Sequence, residues 1–213
     1  MSEEQESRLN ALRERIEGIE APASAKPPLS LGLSAIDGLL RGGIAFGRVH
    51  AVRGGASFGF LTALAARSSG PVFWCCLADS KEQPYMEGVR QMGLDPDRLI
   101  LLECEDQASL LGSAETALAS GAASMVVAQL ESGCDRLAGR RLQLAAERGD
   151  SMGLIAVAGR GSIGWAETGW EVQPLPSQSS RPAWTLGLVR SRRSTTRSWK
   201  VEWDANEICM RLA

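Results

Sequence analysis

From Leu31 to Arg160, short runs of β-branched and apolar residues alternate with longer amphipathic runs, and no other feature constrains the fold as much. Strand, helix and next strand arranged in this way form a parallel sheet with crossover helices, because parallel neighbours cannot be joined by a tight turn. The pattern places strands at Arg48–Val52, Val72–Leu77, Leu99–Leu102, Ser124–Ala128 and Gly153–Ala158. Helices are expected between them at Phe60–Ser68, Pro84–Met92, Ser109–Ser120 and Asp135–Arg148. After Arg160 the chain reads as a loop rich in Gly, Ser and Pro up to Pro182, then as antiparallel strands at Trp184–Arg193, Ser198–Asp204 and Glu207–Leu212. At 213 residues the chain holds one α/β domain and an appendage, rather than two full domains.

The appendage is N-terminal. Leu9, Leu12, Ile16 and Ile19 recur at helical spacing among Glu and Arg, which predicts a helical arm over residues 1–20. Pro22, Pro27 and Pro28 follow among small residues, so 21–30 reads as an extended linker and 31–213 as the core domain. Two readings of the stripe stand side by side. It packs back on its own domain, or it forms a seam for a second helix and makes the chain a homo-oligomer or a partner-binding protein.

Rare residues narrow the chemistry. With His50 as the one histidine, a multi-histidine metal site is impossible and a Ser-His-Asp triad would have to use that residue. The five cysteines lack CxxC spacing and read as reduced core thiols. The acidic start, Glu3, Glu4 and Glu6, does not resemble a signal peptide, and no long apolar run is present, so a cytoplasmic location without membrane contact is expected. A net charge of −2 conceals an asymmetry: residues 1–150 carry 15 Lys+Arg against 20 Asp+Glu, and residues 151–213 carry 8 against 5.

The first strand runs into Gly54-Gly55-Ala56-Ser57-Phe58-Gly59-Phe60-Leu61-Thr62 and then a helix, the placement of a phosphate-binding loop. Gly54 and Gly59 keep the glycine frame of GxxxxGK[ST]. Phe60 replaces the lysine that neutralises phosphate, Leu61 replaces the hydroxyl that anchors Mg²⁺, and Thr62 comes one position late. Gln129 follows the strand whose end would carry a metal-holding aspartate, and Glu131 is a weak substitute. The reading is a vestigial phosphate loop, no enzyme activity, no cofactor and no resident metal.

Resemblance enters through motifs. Leu31-Gly32-Leu33-Ser34-Ala35-Ile36-Asp37-Gly38-Leu39-Leu40, Gly42-Gly43-Ile44 and Gly47-Arg48-Val49 resemble the approach to the phosphate loop in the RecA recombinase family. Phe73-Trp74-Cys75-Cys76-Leu77-Ala78-Asp79 resembles the next strand of that family, which puts Asp79 at or near its catalytic carboxylate. Gly93-Leu94-Asp95-Pro96-Asp97-Arg98-Leu99-Ile100, Arg140–Glu147, Trp184–Arg193 and Ser198–Asp204 are similar to the ImuA family of SulA-related, RecA-like inducible mutagenesis accessory proteins. The resemblance spans about residues 29–205 through the order and spacing of these motifs. It implies a RecA-like α/β fold and a role in translesion synthesis with ImuB, a catalytically dead Y-family polymerase relative, and an error-prone DnaE-type polymerase, with RecA as a further candidate partner of the arm. The competing readings are a SulA-like inhibitor of FtsZ assembly and a recombinase-type ATPase.

Two surfaces stand out as binding candidates. Arg181, Arg190, Arg192, Arg193, Arg197 and Lys200 lie in a stretch with no acidic residue, and pairing of the last strands would set them around an exposed turn suited to DNA phosphates or an acidic protein. A solvated hairpin with Trp184, Trp199 and Trp203 in the core is the plainer alternative. Trp165 and Trp170, in the Gly-rich loop, are expected either as exposed partner anchors or as packed residues.

Overall fold

A computed structural model describes residues 24–159, 161–177, 179–192 and 194–213. The arm stripe Leu9, Leu12, Ile16 and Ile19, and Arg193 of the basic ribbon, lie outside the described residues.

In chain order the elements are α1 (Ser34–Asp37), β1 (Val49–Arg53), α2 (Ser57–Arg67), β2 (Val72–Leu77), α3 (Met86–Gln91), a 3₁₀ turn (Pro96–Arg98), β3 (Leu99–Cys104), α4 (Gln107–Ser120), β4 (Met125–Leu130), α5 (Arg136–Gly149), β5 (Met152–Val157), β6 (Thr168–Leu175), β7 (Ala183–Ser191), β8 (Arg197–Asp204) and β9 (Cys209–Leu212). They form one sheet in the order β3-β2-β4-β5-β1-β6-β7-β8-β9. Pairings from β3 through β6 are parallel, and β7, β8 and β9 add on antiparallel. The fold is α/β, mostly parallel and consistent with a RecA-like domain.

Strand alternation divides the core into two layers. Trp74, Val127, Leu154 and Val52 face α1, α2 and α3, whereas Cys75, Val126, Ile155 and Ala51 face α4 and α5. Asp106 and Asp135 start α4 and α5 by accepting hydrogen bonds from the Ser109 and Ala138 amides, which satisfies donors that a helix start leaves open. Burial raises the Cys75 thiol to about 12 and the Cys134 thiol to about 11, as befits unreactive core cysteines.

Two expectations change. The segment read as loop between Gly159 and Pro182 contains β6, which pairs with β1 in register His50↔Thr168 and Val52↔Trp170. Its Thr168, Trp170 and Val172 alternate inward, a period-2 signal obscured by Gly169 and Pro174. The described part of the proline-rich stretch is tied to the core rather than spanning free. Leu29 and Ile44 exchange backbone hydrogen bonds, and Lys26 Nζ donates to the Asp150 carbonyl at 2.7 Å.

Candidate functional site: a strand-end cleft

A cleft of about 860 Å³ opens where β1, β2, β4 and β5 end, the place where open parallel sheets bind ligands. Its floor includes Phe58, Leu61 and Gln129, and its rim carries Asp79, Lys81, Glu82 and Glu131. Among the described residues, three carboxylates thus face one ammonium. Phe58 packs on Trp74 with ring centroids 4.9 Å apart, and Trp74 Nε1 donates to Gln129 Oε1 at 2.7 Å. The amide at position 129 is therefore bound to a core tryptophan. Asp79 and Glu131, the two carboxylates singled out from sequence, are both exposed at this rim.

Only Gly54, Gly55 and Ala56 separate β1 from α2, so Gly59, Phe60, Leu61 and Thr62 belong to the helix. Gly54 has φ +110°, and a Cβ there would lie 2.2 Å from the Val172 carbonyl oxygen; this turn requires glycine because β6 runs against it. The Ala56 amide donates to that same carbonyl and the Ser57 amide to Gly54, so both are engaged within the protein. Phe60 is fully buried, its ring 5.7 Å from Trp170 and 6.4 Å from Trp184. It faces the core beside β6 and β7, whereas Leu61 reaches the cleft floor. Thr62 Oγ1 donates to the Phe58 carbonyl within the helix.

His50 takes no part in the cleft. Trp170 Nε1 donates to Thr168 Oγ1, whose own hydroxyl donates to His50 Nδ1, leaving Nε2–H to donate to the Ala45 carbonyl. This chain fixes a neutral imidazole, and burial lowers its pKa to about 4.

The two tryptophans expected as possible loop anchors are packed. Trp170 is fully buried on β6, and Trp165 lies over Gly139 of α5, where any Cβ would fall 2.8 Å from the indole. Trp184 and Trp203 are core, and Trp199 is half-buried against the same cluster. The ribbon also differs from a field of unneutralised arginines. Asp204, buried, pairs with Arg181 at 2.9 Å; Arg190 Nε donates to the Ala166 carbonyl; Arg192 lies 3.8 Å from Glu167. Glu167 and Asp204 lie outside the acid-free stretch, so a local reading passes over them. Arg197 and Lys200 remain exposed on β8, without a side-chain partner among the described residues.

Fold and cleft define the class: a mostly parallel α/β protein consistent with a RecA-like domain, whose strand-end cleft has a mainly apolar and glycine-rich lining with carboxylates at its rim. Among the described residues no helix is long and apolar enough to cross a membrane. No protein-family profile matches the chain. It is 29% identical to Protein ImuA from two strains of Caulobacter vibrioides over 206 aligned residues, covering 81% of this chain and 82% of that protein. This similarity supports placing the chain in the ImuA family.

Proposed function

We propose that the protein is a non-catalytic accessory factor of damage-induced mutagenic DNA synthesis, working in the cytoplasm with an ImuB-like protein and an error-prone DnaE-type polymerase. The observation that carries this reading is the ImuA similarity, which extends over about four-fifths of both chains. The chemistry of the cleft supports it. A nucleoside triphosphate with Mg²⁺ needs a cation at the phosphates and a hydroxyl and carboxylate for the metal. Position 60 offers a buried ring, position 61 an isobutyl group and position 129 an amide engaged by Trp74. Asp79, Glu82 and Glu131 add repulsion at the rim, against Lys81 alone among the described residues there.

Function would then reside in surfaces that bind partners. On the ribbon, Arg197 and Lys200 are the cations best placed to meet DNA phosphates or an acidic protein, with Arg181, Arg190 and Arg192 holding the scaffold around them. Co-purification of the full chain with the ImuB-like protein of its host, alongside calorimetry with ATP and Mg²⁺, tests the proposal. A stable complex and no nucleotide binding tighter than about 100 μM are expected. ATP turnover with no such complex would overturn it.

A further inference from the structure

We infer that the acidic N-terminal segment of this chain docks in cis along the outer face of α5, where exposed leucines are framed by arginines. The inner side of α5 is spent on the sheet, with Leu142, Ala145 and Ala146 buried. On its outer side Leu137 is 72% and Leu144 44% exposed. Seven residues apart, they stand almost in line two turns along the helix. Arg136 and Arg140 flank that line on one side, Arg141 and Arg148 on the other.

Arg141 pairs with Glu115 of α4. Arg136, Arg140 and Arg148 are exposed and have no side-chain partner among the described residues. Nearby acids are already engaged: Glu147 with Arg48, Asp150 with Ser24, and Asp135 in capping the helix. Such a face suits an acidic segment carrying an apolar stripe.

Residues 1–20 have that composition: Glu3, Glu4, Glu6, Glu14, Glu17 and Glu20 against Arg8, Arg13 and Arg15, with Leu9, Leu12, Ile16 and Ile19 in the stripe. The described chain also begins at the right place. Ser24 Oγ donates to the Asp150 carboxylate and Lys26 Nζ to the Asp150 carbonyl, and Asp150 is the residue that caps the C-terminal end of α5. Four residue steps separate Glu20 from Ser24, a reach of at most about 14 Å, which keeps Glu20 within range of the end of α5 that carries Arg148. Running parallel to α5, a helix of fifteen residues would be about 22 Å long, against about 21 Å for the fourteen residues of α5. A tether this short gives an effective concentration in the mM range, which a second copy does not match.

Hydrogen–deuterium exchange on the full chain tests this, because a helix of this length is marginal unless docked. Amides of residues 5–20 are expected to exchange at least about tenfold more slowly than in a free peptide of residues 1–22, with a monomeric mass and no change on dilution. Arg136→Glu, Arg140→Glu and Arg148→Glu together should abolish the protection, and adding Glu14→Arg, Glu17→Arg and Glu20→Arg should restore it. Leu137→Asn with Leu144→Asn, which leaves the charges in place, should abolish it as well. Exchange at free-peptide rates, or protection indifferent to these changes, overturns the inference. Protection that disappears on dilution along with a dimer mass also overturns it, in favour of a second copy as occupant. The result is independent of the accessory role proposed above.

Discussion

Phe60→Lys would restore the missing lysine of the GxxxxGK[ST] pattern, and the structure predicts that it destabilises the protein without creating a nucleotide site. Position 60 is the fourth residue of α2 and points between Trp170 and Trp184 with no exposed surface. Removing a buried phenyl ring costs about 3–5 kcal/mol, of which the lysine stem recovers part at about 0.8 kcal/mol per methylene. The ammonium has no acceptor there and must lose its proton or draw in water. A shift of 3–5 pKa units for a fully buried lysine corresponds to about 4–7 kcal/mol. A net loss of about 5 kcal/mol follows, comparable to the whole stability of many domains. Urea unfolding followed by tryptophan fluorescence measures it, with Phe60→Leu as a control expected to lose only about 1.5 kcal/mol. A Phe60→Lys protein within about 1 kcal/mol of wild type that bound ATP would refute the assigned orientation of this helix.

Other outcomes follow from the same geometry. With His50 at about 4 in the folded state against 6.5 unfolded, the unfolded chain binds the extra proton between those values, so stability is complete above pH 6.5 and falls as pH drops toward 4. The loss approaches roughly 3 kcal/mol, and unfolding midpoints measured across this range should track it, a dependence that His50→Gln should flatten. Gly54→Ala should cost several kcal/mol in a thermal melt, because its Cβ would strike the Val172 carbonyl at a positive φ. Arg197→Ala with Lys200→Ala should leave the midpoint within about 0.5 kcal/mol of wild type while reducing the salt dependence of any DNA contact by about one log–log unit per phosphate lost.

The central strands and the four helices between them were legible because their apolar periods of two and 3.6 are long and bounded by Asp caps or glycines. The phosphate-loop alignment was legible as a glycine frame, but the frame does not reveal that α2 begins at Ser57 and turns Phe60 into the core. β6 was missed because Gly169 and Pro174 resemble loop residues, whereas the pairing with β1 that makes them a strand comes from far along the chain. The ribbon charges failed for a related reason: Glu167 and Asp204 neutralise Arg192 and Arg181 through the folded sheet rather than through local sequence. The exposed leucines of α5 are not legible in the sequence because an amphipathic helix is expected to bury its leucines, and only burial by residue separates Leu142 from Leu137 and Leu144.

Accessory action without nucleotide chemistry can be read out as damage-induced mutation frequency in a host strain lacking the gene. That strain should receive either the wild-type chain or a variant with Asp79→Asn, Lys81→Ala and Glu131→Gln in the cleft. The deletion is expected to abolish induced mutagenesis, and both chains are expected to restore it fully. A deletion that mutates normally, or a cleft variant that fails to complement although folded, would contradict it.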